Sequence, residues 1–321
     1  MFSRTSHAPR LAALLVVAGS VGMSLLAGCS ADATQGVTAG TVDVMASFYP
    51  LQFVAEQVGG DRVTVRSLTP PGAEPHDIEL SPAQVSRLDR ADLVVYLSGF
   101  QPAVDDAVAL TNPAHVVDAA QDTTLMTPSQ ERTQEVHVGD PLADEPEHGV
   151  LDPHFWLDPS RMPPLVDDVA RTLTEIDPAG AAQYAANAAA LDQRFADLDV
   201  AYKTGLTTCT TRSFITSHEA FGYLADRYHL QQIGISGIDP EAEPSPARLA
   251  AVERYARKEG ITTIFFERLV SPKVADTLAD DLGITAAVLD PIEGVADPAK
   301  NDYFSIAEAN LDALRTALEC S

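Results

Sequence analysis

The segment from Pro178 to about Thr207 narrows the choice of fold more than any other. It is rich in alanine and carries no glycine between Gly180 and Gly205. As a helix, at roughly 1.5 Å per residue, it would run about 40 Å, the height of a small domain. Short apolar runs lie on both sides of it. Residues 41–47, 63–68, 92–97 and 115–118 read as strands before it, and 213–217, 231–236, 262–267 and 285–290 after it. Helices are predicted over 50–58, from Ser81-Pro82 with serine as the cap and proline in the first turn, and over about 301–318. Strands separated by helices imply parallel sheets with helices on their faces. The expected fold is α/β: two lobes, each with a mainly parallel sheet flanked by helices, joined by one long rigid helix. The N-terminal lobe spans 41–177, the connecting helix 178–207 and the C-terminal lobe 208–321.

The first 40 residues point to a compartment. Arg4 and Arg10 precede an uncharged apolar run, 11–26, which ends in Leu26-Ala27-Gly28-Cys29. A basic start, an apolar middle and small residues at the cut make a secretory signal peptide, here residues 1–28. A cysteine directly after the cut resembles the lipobox of bacterial lipoproteins, so Cys29 is expected to carry lipid and to hold the chain outside the cell membrane. The alternative is an uncleaved membrane anchor, for which the run falls short of the roughly 20 apolar residues needed. Residues 29–40 then form a short lipidated tether of small and polar residues.

Removing residues 1–28 takes away two positive charges and no negative ones, deepening the net charge from −25 to −27. So acidic a chain is a poor candidate for nucleic acid, which rewards basic patches. It would also be repelled from an anionic bilayer, leaving the lipid to hold it there. With Cys29 committed, Cys209 and Cys320 remain as a candidate disulfide, because leftover cysteines outside the cytosol are more often bridged than free. Two buried thiols are the alternative.

Four segments place a metal-capable side chain near a strand end or beside a carboxylate. They are Gly72-Ala73-Glu74-Pro75-His76-Asp77, Asp152-Pro153-His154-Phe155-Trp156-Leu157-Asp158-Pro159, Ser217-His218-Glu219-Ala220-Phe221-Gly222 and Leu289-Asp290-Pro291. Ligands of parallel sheets bind beyond the carboxyl ends of the strands. Singly, each histidine reads as a hydrogen-bonded loop residue, and Asp290 as a turn former. Asp77 and Asp152 would orient the neighbouring imidazoles or serve only as caps. Phe155 and Trp156 read as packing, and His115 and His229 as structural.

Together with Ala46-Ser47-Phe48-Tyr49-Pro50, these segments run in order along the whole mature chain, which resembles the zinc/manganese substrate-binding proteins of ABC importers, the ZnuA/TroA-like family. The resemblance implies one metal ion at the interface of two lobes, held by His76, His154, His218 and a carboxylate from Asp290. It implies a receptor rather than an enzyme. The expected partners are an ABC permease with its ATPase, and the lipid bilayer through Cys29, with the chain a monomer. In similar proteins that prefer manganese the position of His218 is typically glutamate. Three imidazoles with one carboxylate suit Zn2+, whereas Mn2+ prefers oxygen donors and is the less expected ion. Zinc-specific relatives often carry a long histidine-rich loop; here residues 129–149 offer only His137 and His148 among many acids, which reads as a solvated acidic loop. Two other functions remain open: a manganese or iron receptor on the same fold, and a secreted zinc hydrolase, which would need an open coordination position.

Overall fold

The computed structural model of the protein describes residues 40–127, 151–298 and 300–321. The signal peptide, Cys29, nearly all of the tether, His137 and His148 lie outside the described residues.

Two four-stranded sheets organise the chain. The first comprises β1 (Val42–Ala46), β2 (Val63–Ser67), β3 (Leu93–Tyr96) and β4 (Val116–Asp118), in the order β2-β1-β3-β4. The second comprises β5 (Ser213–Thr216), β6 (Gln231–Gly234), β7 (Thr263–Phe266) and β8 (Thr285–Val288), in the order β6-β5-β7-β8. Every pairing is parallel. Each expected strand forms, trimmed by a residue or more where the chain turns off the sheet. In both sheets the order reverses beside the first strand, which opens a crevice at its carboxyl end.

The helices are α1 (Tyr49–Gly59), α2 (Pro82–Leu88), α3 (Pro102–Thr111), α4 (Ala119–Asp122), α5 (Pro163–Ile176), α6 (Ala181–Gly205), α7 (Gly222–Tyr228), α8 (Pro246–Glu259), α9 (Lys273–Leu282) and α10 (Tyr303–Ala317). Ser81 caps α2 as the sequence predicts, with Gln84 returning the bond in a capping box. The connecting helix starts at Ala181 rather than Pro178, because Pro178–Gly180 forms one tighter turn first. Along α6 the buried residues Tyr184, Ala188, Leu191, Phe195, Leu198 and Tyr202 recur at alternating steps of four and three. That spacing keeps them on one face, which packs on α1, α5 and α10.

One apolar core runs through both lobes. Phe48, Trp156 and Phe195 belong to the same cluster as Phe214, Phe265 and Leu289. Lobes sharing a hydrophobic core do not swing freely, since large relative motion is the default only for small or polar interfaces. Cys209 and Cys320 form a disulfide with a sequence separation of 111, which settles the choice between bridge and buried thiols. A loop of that size corresponds to about 5 kcal/mol of denatured-state entropy in the chain model. Among the described residues no helix is long and apolar enough to cross a membrane.

Candidate metal centre

Beyond the carboxyl ends of β2, β5, β7 and β8, the chain brings together three histidines and a glutamate. After β2 the loop folds over itself: the Thr69 hydroxyl donates to the Ser47 carbonyl at 2.8 Å, and the Gln101 amide donates to the Pro75 carbonyl at 3.0 Å. The His76 N–H then donates to the Glu74 carboxylate at 2.9 Å, and its ring stands edge-on to Phe100.

His154 sits just ahead of a tight turn, Phe155–Leu157, fully buried among aromatics. Asp152 Oδ1 accepts its backbone N–H at 2.8 Å and lies 2.6 Å from ring Nδ1. With Nδ1 so engaged, Nε2 faces inward. Trp156 is buried as expected, its ring 5.1 Å from His154 between centroids. Burying about 200 Å² of such a ring contributes on the order of 5 kcal/mol. This part of the site is therefore held by core packing.

His218 leaves the end of β5 with its carbonyl taken by the Thr216 hydroxyl at 2.6 Å and the Gln232 amide at 2.9 Å. Its Nδ1 lies 2.7 Å from Glu267 Oε1, at the end of β7, and the Ser217 hydroxyl donates to the same oxygen at 2.9 Å. Again Nε2 is the nitrogen left facing the centre.

The carboxylate in the middle is Glu293, completely buried. Its Oε1 is 2.8 Å from His154 Nε2, 3.5 Å from His76 Nε2 and 3.5 Å from His218 Nε2. One donor atom from each of His76, His154, His218 and Glu293 lies within 4.8 Å of all the others. The three histidines expected from the sequence thus converge. Asp290 does not join them, and here the expectation is corrected. Asp290 Oδ1 accepts the Ile292 N–H at 2.9 Å and Oδ2 faces Arg268 at 3.6 Å, while the turn it caps carries Glu293 into the cluster three residues later. Asp77 has no bond to the cluster among the described contacts, and Glu74 rather than Asp77 braces His76.

Glu267 and Glu293 both escaped the sequence reading. Glu267 ends a predicted strand, the same positional signal that singled out Asp290. Glu293 offers no such signal, because a left-handed turn at Ile292 delivers it.

Charge is concentrated here. Burial pushes the Glu293 carboxyl up, but the three imidazoles gathered around it, His154 first, hold it well below the usual carboxylate range. Burial would push His218 down; the charge and hydrogen bond of Glu267, then Glu293, outweigh it and raise His218 to about 10. Burial lifts Asp290 to about 6, opposed by the Ile292 N–H. His76 Nε2, His218 Nε2 and Glu293 Oε2 are buried without a hydrogen-bond partner among the described residues. Orphaned donors and acceptors of this kind are rare in folded proteins, and a metal ion bound among them would satisfy them.

Residues 44–317 match the family model for ZnuA, the zinc-uptake complex component A, periplasmic. The chain belongs to the ZnuA family. It is 34% identical over 295 residues to the zinc-binding protein AdcA of Streptococcus pyogenes, a match covering 88% of this chain and 57% of that one. It therefore spans little more than half the length of that relative. It is also 34% identical over 303 residues to the high-affinity zinc uptake system protein ZnuA of Bacillus subtilis, covering 92% of this chain and 94% of that one. Among solved structures it is similar to the Zn(II)-bound ZnuA-like domain of Streptococcus pneumoniae AdcA, with a TM-score of 0.72 and 33% identity over 87% of this chain and all of that one. The pair of four-stranded parallel sheets is the fold of that family.

Proposed function

We propose that this ZnuA-family chain is an extracytoplasmic receptor that captures one Zn2+ between its lobes and hands it to an ABC-type importer. The convergence of three buried imidazole nitrogens on one buried carboxylate carries the reading. Zinc bonds of 2.0–2.1 Å set the donors of a tetrahedron about 3.4 Å apart. The separations from Glu293 Oε1, between 2.8 and 3.5 Å, bracket that edge. Small adjustments of the rings would seat the ion. The names of the relatives favour zinc as cargo, and the donor set favours it over manganese, which prefers oxygen ligands.

Four protein donors fill a tetrahedral shell, whereas catalytic zinc sites keep a position for water. That supports a carrier over a hydrolase. The residues divide the work. His76, His154, His218 and Glu293 bind the ion, and Asp152 and Glu267 fix the rings of His154 and His218. The shared apolar core keeps the lobes close in the free and loaded forms. The leader followed directly by Cys29 supports a lipid anchor on the outer face of the cell membrane, and the family's periplasmic description agrees with that side. A permease and its ATPase are the partners this role requires, and a single copy of the chain is sufficient for it.

The test is competitive metal titration of the chelator-stripped protein. One tight equivalent of zinc, not displaced by excess manganese and lost in His218→Ala, is the expected result. Preferential manganese binding would overturn the metal, and zinc binding unchanged by His218→Ala would overturn the site.

A further inference from the structure

We propose that Asp290, anchored by Asn310, is a positioning residue that builds the turn presenting Glu293 to the ion. The proposal rests on the zinc reading of the same site and adds what fixes its carboxylate. After β8 the chain must leave the sheet and reverse within a few residues. Asn310, buried on α10, grips Asp290 from both sides: its Oδ1 accepts the Asp290 N–H at 2.9 Å and its Nδ2 donates to the Asp290 carbonyl at 2.6 Å. The Asp290 carboxylate then reaches past Pro291 and accepts the Ile292 N–H at 2.9 Å. Trp156 Nε1 donates to the Pro291 carbonyl at 2.7 Å, tying the turn to the segment that carries His154.

The product of these bonds is a left-handed Ile292, with φ of 59°. A β-branched residue avoids that region, and such a conformation persists only where its surroundings over-determine it. Ile292 is 1% exposed and Glu293 fully buried, so neither side chain has another place to go. Just beyond, a Cβ on Gly294 would stand 3.3 Å from the Ala73 carbonyl and 3.2 Å from Leu269. Glycine thus lets the turn seat closely against the His76 loop. Without the Asp290 cap, Ile292 relaxes toward an ordinary backbone region and swings the Glu293 carboxylate away from the three imidazoles. Asp290 acts through its oxygen acceptor, not through charge or metal contact.

The experiment compares D290N, D290A, E293A and wild type as full chains in mild detergent, reading zinc affinity and the visible spectrum of the Co2+-substituted site. D290N keeps an oxygen for the Ile292 N–H and should stay within about threefold of wild type, the spread of changes that remove no named contact. D290A should lose roughly 10–100-fold, as for other residues that orient a ligand, and its cobalt spectrum should match that of E293A. D290N falling as far as E293A would overturn the proposal, because charge or direct ligation would then be what matters. D290A binding like wild type with an unchanged spectrum would overturn it as well. D290N, isosteric with the native residue, keeps the test decisive if D290A fails to fold. A wild-type chain that takes up no zinc removes the receptor reading and this inference together, whereas zinc-binding wild type with equal losses in D290N and E293A removes only the inference.

Discussion

Glu267 Oε1 lies 2.7 Å from His218 Nδ1, with both side chains almost wholly buried. This contact across the carboxyl ends of β7 and β5 selects the tautomer of the imidazole and leaves Nε2 facing the cluster. Glu267→Ala should weaken zinc binding by roughly 10–100-fold. Glu267→Gln, which can still accept from Nδ1–H, should lose less. Competition against a chromophoric chelator measures both, and an unaltered Glu267→Ala affinity would make the pair merely structural.

The same pair sets how loading depends on pH. Glu267 and Glu293 push His218 up to about 10, so at neutral pH the ion-free residue is expected to hold a proton that zinc must displace. The free state binds the proton and the loaded state does not, so raising the pH favours loading. Near pH 7 zinc uptake should release about one proton from this residue, and affinity should climb about tenfold per pH unit while that proton is being displaced. Calorimetry in buffers of different ionisation enthalpy checks it. Heats that do not vary with the buffer would refute the protonated His218.

Local signals made most of the fold legible. Strand ends, the Ser81 cap and the glycine-free run that became α6 are each written in a few neighbouring residues. The histidines were legible as well, each beside a strand end or a carboxylate that braces it. The fourth donor was not. Asp290 stands out in the sequence because it directly follows a strand, but the carboxylate that meets the three imidazoles is Glu293, reached through a backbone conformation at Ile292 that isoleucine rarely adopts. Helix α5 was also passed over, although Leu165, Val166, Val169, Ala170 and Leu173 form one buried stripe. Its paired prolines open the helix rather than break it, as proline does at a first turn.

The disulfide should matter for stability and not for zinc. It joins the segment just after α6 to the residue region just after α10, and neither cysteine neighbours a donor in sequence. Replacing both cysteines by serine should destabilise the fold by about 2–5 kcal/mol, the usual range for a native bridge. Chemical denaturation of the metal-free protein measures the loss, and zinc titration of the folded variant should give the wild-type affinity. A large loss of affinity would mean that the bridge also holds α10, and through Asn310 the Glu293 turn.

Tyr223 connects two donor segments without the help of any ion. From α7, five residues after His218, its hydroxyl donates to the Asp152 carbonyl at 2.8 Å and accepts the Met126 N–H at 2.7 Å. Arg161 lies over its ring, 4.8 Å from the centroid. Asp152 in turn orients His154, so one phenol links the His154 and His218 segments and pins them at a set separation. Tyr223→Phe keeps the ring and removes both bonds, which should cost about 1–3 kcal/mol through the polar groups left behind. It should also speed zinc dissociation, because the two segments would then depend on the ion to stay in register. Stopped-flow transfer to a chelator reads that rate. A destabilised variant that releases zinc at the native rate would confine Tyr223 to holding the lobes together; faster release with little change in folding would make the hydroxyl part of how the receptor retains its cargo.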